Sequence, residues 1–226
     1  MSPALIGRRA AVAAASLFVA GAAAAAEPYV ATGFPYLLAG FAQPISPSLV
    51  LRADFGSIAH HSYTGSTSDN DFKGSIKYNR FALLADWFVV DGGFRLTGGA
   101  TFDQAKATMT ASSHSGKITL GGVQYDAPSS LYYVQSDLSF PKAMPYVGLG
   151  WGHHQGSPGL TFNFDLGASI GTAKATPLRA SPALASELAL NQQGATDLQQ
   201  ESHDFQDEVR KLKAIPQLTI GLGYRF

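Results

Sequence analysis

Gln217-Leu218-Thr219-Ile220-Gly221-Leu222-Gly223-Tyr224-Arg225-Phe226 alternates large apolar residues with small or polar ones, position by position. Side chains alternate across the pleat of a strand, so Leu218, Ile220, Leu222, Tyr224 and Phe226 share one face, and Thr219, Gly221, Gly223 and Arg225 the other. One face suits hydrocarbon and the other suits water. The same period returns from Leu160 to Ile170, where Leu160, Phe162, Phe164, Leu166, Ala168 and Ile170 alternate with Thr161, Asn163, Asp165, Gly167 and Ser169 over a length that fits a membrane-spanning strand.

Working outward, Pro145 to His153 sets Val147, Leu149 and Trp151 against Tyr146, Gly148, Gly150 and Gly152. Leu131 to Phe140 sets Tyr132, Val134, Leu138 and Phe140 against Tyr133, Gln135 and Asp137, and Pro141-Lys142-Ala143-Met144 reads as the turn between these two strands. Phe94 to Phe102 follows a hairpin at Asp91-Gly92-Gly93. Tyr78 to Val90 sends Phe81, Leu83, Ala85, Trp87 and Val89 outward and Tyr78, Arg80, Ala82 and Asp86 inward, with Leu84 and Phe88 blurring the rhythm. Leu49 to Ile58 and an opening strand around Phe34 to Ile45 bring the total to about eight. Polar stretches from His60 to Lys73 and from Met109 to Ser130 read as hydrated loops, with a small hairpin expected around Gly121-Gly122. From Ser181 to Ala214 the strand rhythm stops, and Leu198, Phe205, Val209 and Leu212 trace the stripe of one amphipathic helix inserted before the last strand.

The N-terminal segment supplies a compartment. Arg8 and Arg9 precede a small-apolar run from Ala10 to Ala26, and Ala24-Ala25-Ala26 fits a signal-peptidase site, so residues 1–26 are expected to be an export signal and 27–226 the mature chain. Beyond it no apolar run approaches the ~18 residues of a spanning helix, so any spanning must be done by strands. Lys plus Arg equals Asp plus Glu at 16 each, which gives nucleic acid no basic surface to meet. Charged residues are only 14% against 24 glycines, a balance poor in solvated surface. Cysteine is absent, which rules out disulfides and thiolate metal sites.

Unpaired amides cost several kcal/mol each in hydrocarbon, so only a closed sheet can cross it with strands. A soluble calyx would show the same alternation with the faces exchanged. The polar face decides between them. It carries Arg52, Asp54, Arg80, Asp86, Arg95, Asp103, Asp137, Asp165 and Arg225 among many glycines, a set that fits a narrow lumen in which charges neutralise one another. The fold class expected is therefore all-β: an antiparallel transmembrane β-barrel of about eight strands with a helical insertion over 181–214. Trp87, Tyr36, Tyr132, Tyr146, Trp151 and Tyr224 are expected as girdle residues at the two interfaces.

Tyr224-Arg225-Phe226, the strand Pro145 to Gly152 and Phe162-Asn163-Phe164-Asp165-Leu166-Gly167 make the chain resemble the small bacterial outer-membrane proteins with OmpA-like or OmpW-like barrels. The resemblance implies the outer membrane as location, outer-membrane lipids and the barrel-assembly machinery as partners, and Tyr224 with Phe226 as the C-terminal insertion signal. Peptidoglycan or another protein is a further possible partner, and no cofactor is implied. With the strands counted as above, the short turns become the first, third and fifth connections, opposite to the habit of such barrels, and the sidedness of the loops stays open.

Three roles are open to such a chain. A structural or interaction barrel needs no chemistry. An OmpW-like conduit for small or apolar molecules needs a path through the lumen or its wall. A lipid-modifying enzyme needs one of the paired imidazoles, His60-His61 or His153-His154, within reach of a serine, although no HExxH or triad order is present. The first is the expectation.

Overall fold

The computed structural model describes residues 26–66, 70–90, 92–113 and 115–226. The expected export signal, apart from Ala26, lies outside the described residues, as do the side chains of 59–61 and hence of His60 and His61. In chain order the strands are β1 (Glu27–Phe34), β2 (Leu37–Ser46), β3 (Leu49–Ser66), β4 (Asn70–Trp87), β5 (Phe94–Ser113), β6 (Lys117–Leu120), β7 (Val123–Asp126), β8 (Tyr133–Ser139), β9 (Ala143–Trp151), β10 (Gly159–Ile170), β11 (Lys174–Ala175), β12 (Arg179–Ala180) and β13 (Ala214–Arg225). Two helices, α1 (Pro182–Leu190) and α2 (Gly194–Arg210), precede β13.

β1, β2, β3, β4, β5, β9, β10 and β13 pair antiparallel in that order, and β13 returns to β1, closing an eight-stranded barrel. The strand count agrees with the sequence reading, but two assignments change. The expected opening strand around Phe34 to Ile45 corresponds to β2, and Glu27–Phe34, where no strand is expected, is a strand of its own that turns at Pro35-Tyr36 into β2. The expected hairpin at Pro141-Lys142 does not exist. β8 pairs with Lys106 to Ser112 of β5, and β9 pairs with Phe94 to Phe102 of the same strand, so both run the same way along one neighbour as a single interrupted strand. Pro141 has no amide to give the ladder, and the Asp103 amide bridges the gap by donating to the Lys142 carbonyl at 2.8 Å.

The start of β1, the end of β13 and the connections at 47–48, 88–93 and 152–158 share one end, here called proximal. The β3–β4 hairpin, the 114–132 connection and the 171–213 excursion lie at the distal end with the β1–β2 turn. Apart from that turn, the long connections are all distal.

β3, β4 and β5 run 18, 18 and 20 residues, far past the barrel, so most of the stretches read as hydrated loops are ladder instead. Along these strands the polarity of the outer wall reverses. Outward on β4 stand Trp87, Ala85, Leu83 and Phe81, and then Asn79, Lys77, Ser75 and Lys73. Outward on β5 stand Phe94, Leu96, Gly98, Ala100 and Phe102, and then Gln104, Lys106, Thr108 and Thr110. The inner face of β5 changes the other way, from Arg95, Thr97, Thr101 and Asp103 to Ala105, Ala107, Met109 and Ala111. The change falls at one height, because Phe81 is paired with Phe102 and Asn79 with Gln104. Proximal to that line the barrel is apolar outside and polar inside; distal to it the sheet is built like a water-soluble protein. The apolar band on β10, from Leu160 to Ile170, measures about 33 Å along the strand at ~3.3 Å per residue, or about 25 Å at a tilt of about 40°.

The inner face of the distal sheet is covered by a small second core. Ile118, Leu120, Tyr125, Ala127, Val134, Leu184 and Leu188 are buried together, with Ala111 and Leu198 against them. β6 and β7 form the expected hairpin, closed at Gly121 and Gly122 with φ of +56° and +83°, the left-handed pair that a two-residue turn of this hand requires. The expected single helix is two. Ser181 caps α1 by accepting from the Leu184 amide at 3.2 Å, with Pro182 in the first turn, and the chain breaks at Asn191 before α2. Both helices pack on β6, β7, β11 and β12 and not in the lumen. Ala214, expected as the end of the helix, is the first residue of β13. Pro216 is tolerated there because that stretch of β13 pairs only with β10, the pairing with β1 beginning at Leu218.

Candidate functional site: a charged lumen and its two rims

The inward positions of β3, β4, β5 and β10 bring Arg52, Asp86, Arg95 and Asp165 into a closed ring of alternating charge. Arg52 lies 2.6 Å from Asp86 and 2.8 Å from Asp165, and Arg95 lies 3.1 Å from Asp86 and 2.7 Å from Asp165. Arg95 and Asp86 are fully buried, and Arg52 is buried to within a few per cent. Thr97 donates to Asp86 at 2.7 Å, and Arg95 donates to the Gly152 carbonyl at 2.8 Å. Such a ring places each guanidinium between two carboxylates and so compensates the loss of water around four buried charges. Gly150 makes room for it, since a Cβ there would meet the Arg95 guanidinium and the Phe164 carbonyl.

Distal to the ring, Arg80 pairs with Asp54, which also accepts from Tyr29 at 3.1 Å. The Arg80 guanidinium lies over the rings of Tyr36 and Tyr146, 5.2 and 5.6 Å from their centroids. Asp103 has hydroxyl partners and not an arginine, accepting from Tyr78 and Thr101 at 2.6 Å each. Thr101, Ser169, Gln217 and Tyr36 carry the network across to β10 and β13. The space left among Tyr36, Arg52, Arg80, Tyr146, Asp165 and Gln217 is about 10 Å³, room for about one water.

At the proximal rim Arg225 pairs with Glu27 at 2.8 Å, and Glu27 also holds His153 Nδ1 at 2.7 Å and accepts from Thr161 at 2.8 Å. Glu27 escaped the sequence reading because it directly follows the expected cleavage site, where no strand was assigned. His153 is buried against the Tyr29 ring at 4.5 Å between centroids, so its Nδ1 partner is a carboxylate and not a serine. Among the described residues no group of three or more His, Cys, Asp or Glu could hold a metal ion.

Four expected placements are corrected. Asp137 is not in the lumen: it lies on the outer face of β8 above the polarity line, where Thr108 donates to it at 2.8 Å and Arg179 pairs with it at 2.7 Å. The Thr108 hydroxyl, and then Arg179, hold its carboxyl below the usual range. Tyr36 and Tyr146 are not girdle residues, being 4% and 3% exposed inside the barrel. Tyr146 occupies the place that Gly148 and Gly167 leave empty, a use of glycine that the alternation of β9 already encodes. Tyr132 packs against the distal core, outside the apolar band. Trp87, Trp151, Tyr224 and Phe226 do face outward at the proximal edge, 49–61% exposed. The distal edge carries phenylalanines instead, Phe55, Phe81 and Phe102 in register, which the search for Trp and Tyr did not find. Tyr125 donates to Asp197 of α2, and that carboxylate pushes the phenol up to about 12, fastening the hairpin to the helix.

No protein-family model and no curated protein matches the chain. Among solved structures it is similar to CarO2 of Acinetobacter baumannii, at 12% identity and a TM-score of 0.61 over 89% of this chain and 98% of that one. It is also similar to CarO of the same organism, at 13% identity and a TM-score of 0.56 over 90% of this chain and 97% of that one. Both are outer-membrane β-barrels, and at this identity the likeness concerns the fold.

Proposed function

We propose that the chain is a bacterial outer-membrane barrel with a sealed lumen, whose role is structural and interactive: it anchors the distal sheet, hairpin and helices in the aqueous phase beyond the membrane. The observation that carries this reading is the reversal of polarity at Phe81/Asn79 and Phe102/Gln104, a line at which hydrocarbon gives way to water. Placing the chain ends and short turns in the periplasm and the long elements outside follows the ordinary orientation of such barrels. The buried ring of Arg52, Asp86, Arg95 and Asp165 then works as a plug, and the ~10 Å³ left beside it argues against the OmpW-like conduit through the lumen. Against enzymatic chemistry, His153 has its Nδ1 on the Glu27 carboxylate and not on a serine.

Incorporated into planar bilayers, the full mature chain is expected to give no discrete conductance steps. Persistent, ion-selective channel events from the refolded barrel would contradict a sealed lumen and restore the conduit.

A further inference from the structure

Just distal to the polarity line, four neighbouring strands carry a row of lysines. Lys77 of β4 stands directly opposite Lys106 of β5, Lys106 opposite Ser139 of β8, and Ser139 opposite Lys174 of β11. Residues directly opposite share a face, so Lys77, Lys106 and Lys174 line up on the outer wall across about 14 Å, three strand spacings of ~4.8 Å. All three are exposed. Lys142, in the interruption between β8 and β9, joins the row from the membrane side. Lys77, Lys106 and Lys142, together with Phe102 and Phe140, line an outer-wall recess of about 720 Å³.

The arrangement is unfavourable for the protein by itself. Like charges placed directly opposite on a sheet repel, and Lys77 and Lys106 are such a pair. Among the described residues no carboxylate lies within ion-pair distance of any of the four. The acidic neighbour above Lys106, Asp137, is bonded to Thr108 and Arg179 and feels Lys106 only from beyond ion-pair distance, and Asp103, which lines the inner side of the recess, is buried and bonded to Tyr78 and Thr101. Below the row the wall becomes aromatic at once, with the rings of Phe81 and Phe102 6.2 Å apart. Cations directly above an apolar wall match a molecule with anionic oxygens joined to acyl chains, and lysine suits phosphate as a mobile point charge.

We propose that this row binds the phosphate-bearing headgroup of a lipid in the distal leaflet, with its acyl chains against Phe81 and Phe102. The assignment rests on the membrane reading given under Proposed function. The headgroup phosphate sits among Lys77, Lys106 and Lys142, and Lys174 extends the site for a second anionic group.

The test uses the full mature chain, refolded in dodecyl maltoside, with dioctanoyl phosphatidic acid as probe and native mass spectrometry as readout. A basic residue at a lipid surface contributes about fivefold to anionic-lipid affinity, so the triple variant Lys77→Gln/Lys106→Gln/Lys142→Gln is expected to bind on the order of a hundredfold more weakly. Lys117→Gln/Lys211→Gln, which removes the same kind of charge elsewhere, is expected to stay within about twofold. Dioctanoylglycerol, lacking the phosphate, and inorganic phosphate, lacking the chains, are both expected to compete poorly. Should the triple variant not fold, Lys106→Gln alone is expected to lose about fivefold. Unchanged binding by the lysine variant, or equal competition by dioctanoylglycerol, would overturn the site. Equal competition by inorganic phosphate would overturn the lipid as its source. Native protein that dissolves without detergent would refute the membrane reading itself, a result visible before any lipid is added.

Discussion

Replacing Asp86 by alanine is expected to lower the stability of the refolded barrel by about 3–5 kcal/mol, the cost of leaving a buried charge without its partner. Asp86 is fully buried and serves Arg52 and Arg95 at once, so its loss leaves two guanidiniums facing a single remaining carboxylate, Asp165. Thr97 loses its acceptor as well. The urea midpoint of the heat-modifiable folded band in detergent micelles measures the loss. Asp137→Ala provides the comparison: its ion pair with Arg179 leaves 44% of the Asp137 side chain exposed, and its removal is expected to cost less than about 1 kcal/mol. Equal effects from the two substitutions would mean that the lumen charges are hydrated and that the ring seals nothing.

The second large effect belongs to the outer wall. Ile220 sits near the middle of the apolar face of β13, 60% exposed, with Phe164 of β10 beside it in register. An exposed cluster of this kind is intolerable in water and ordinary in lipid. Ile220→Arg is expected to destabilise the barrel in lipid vesicles by about 2–4 kcal/mol, the cost of arginine near the bilayer midplane. Thr108→Arg also faces outward, but lies beyond the polarity line, and is expected to cost about 1 kcal/mol at most, from the loss of its hydrogen bond to Asp137. Reversible unfolding in vesicles separates the two; equal tolerance of both arginines would place water along the whole wall.

Much of this was legible in the residues because the lipid-facing strands obey one rule. From Leu160 to Ile170 and from Leu218 to Phe226 every outward position is apolar, and the two runs are in fact antiparallel partners in register. The rule failed wherever its premise did. Val134, Ser136 and Leu138 alternate with Gln135 and Asp137 as cleanly as any lipid-facing strand, but β8 lies in water and turns its apolar side inward against Leu184 and Leu188. Alternation reports that a strand has two environments and is silent about which is inside. That silence put Asp137 in the lumen, and it hid the continuity of β8 with β9, which looked like a hairpin because Pro141 stands at the point where the faces exchange. Leu84 and Phe88 blurred the pattern for a different reason: they are lumen residues, apolar side chains buried beside Tyr146 and Tyr29 among the charged ones. The ring of Arg52, Asp86, Arg95 and Asp165 could be assembled as a set of candidates but not as a ring, since its closure depends on β10 facing β3 across the barrel.

The most direct measurement is a nitroxide scan of the outward positions of β5 in lipid vesicles, comparing collision with oxygen against collision with a water-soluble nickel chelate. Labels at Leu96, Gly98, Ala100 and Phe102 should favour oxygen, and labels at Gln104, Lys106, Thr108 and Thr110 should favour the chelate, with the crossover in a single step between Phe102 and Gln104. Chelate access at all eight sites, with no crossover, would contradict a membrane-spanning barrel.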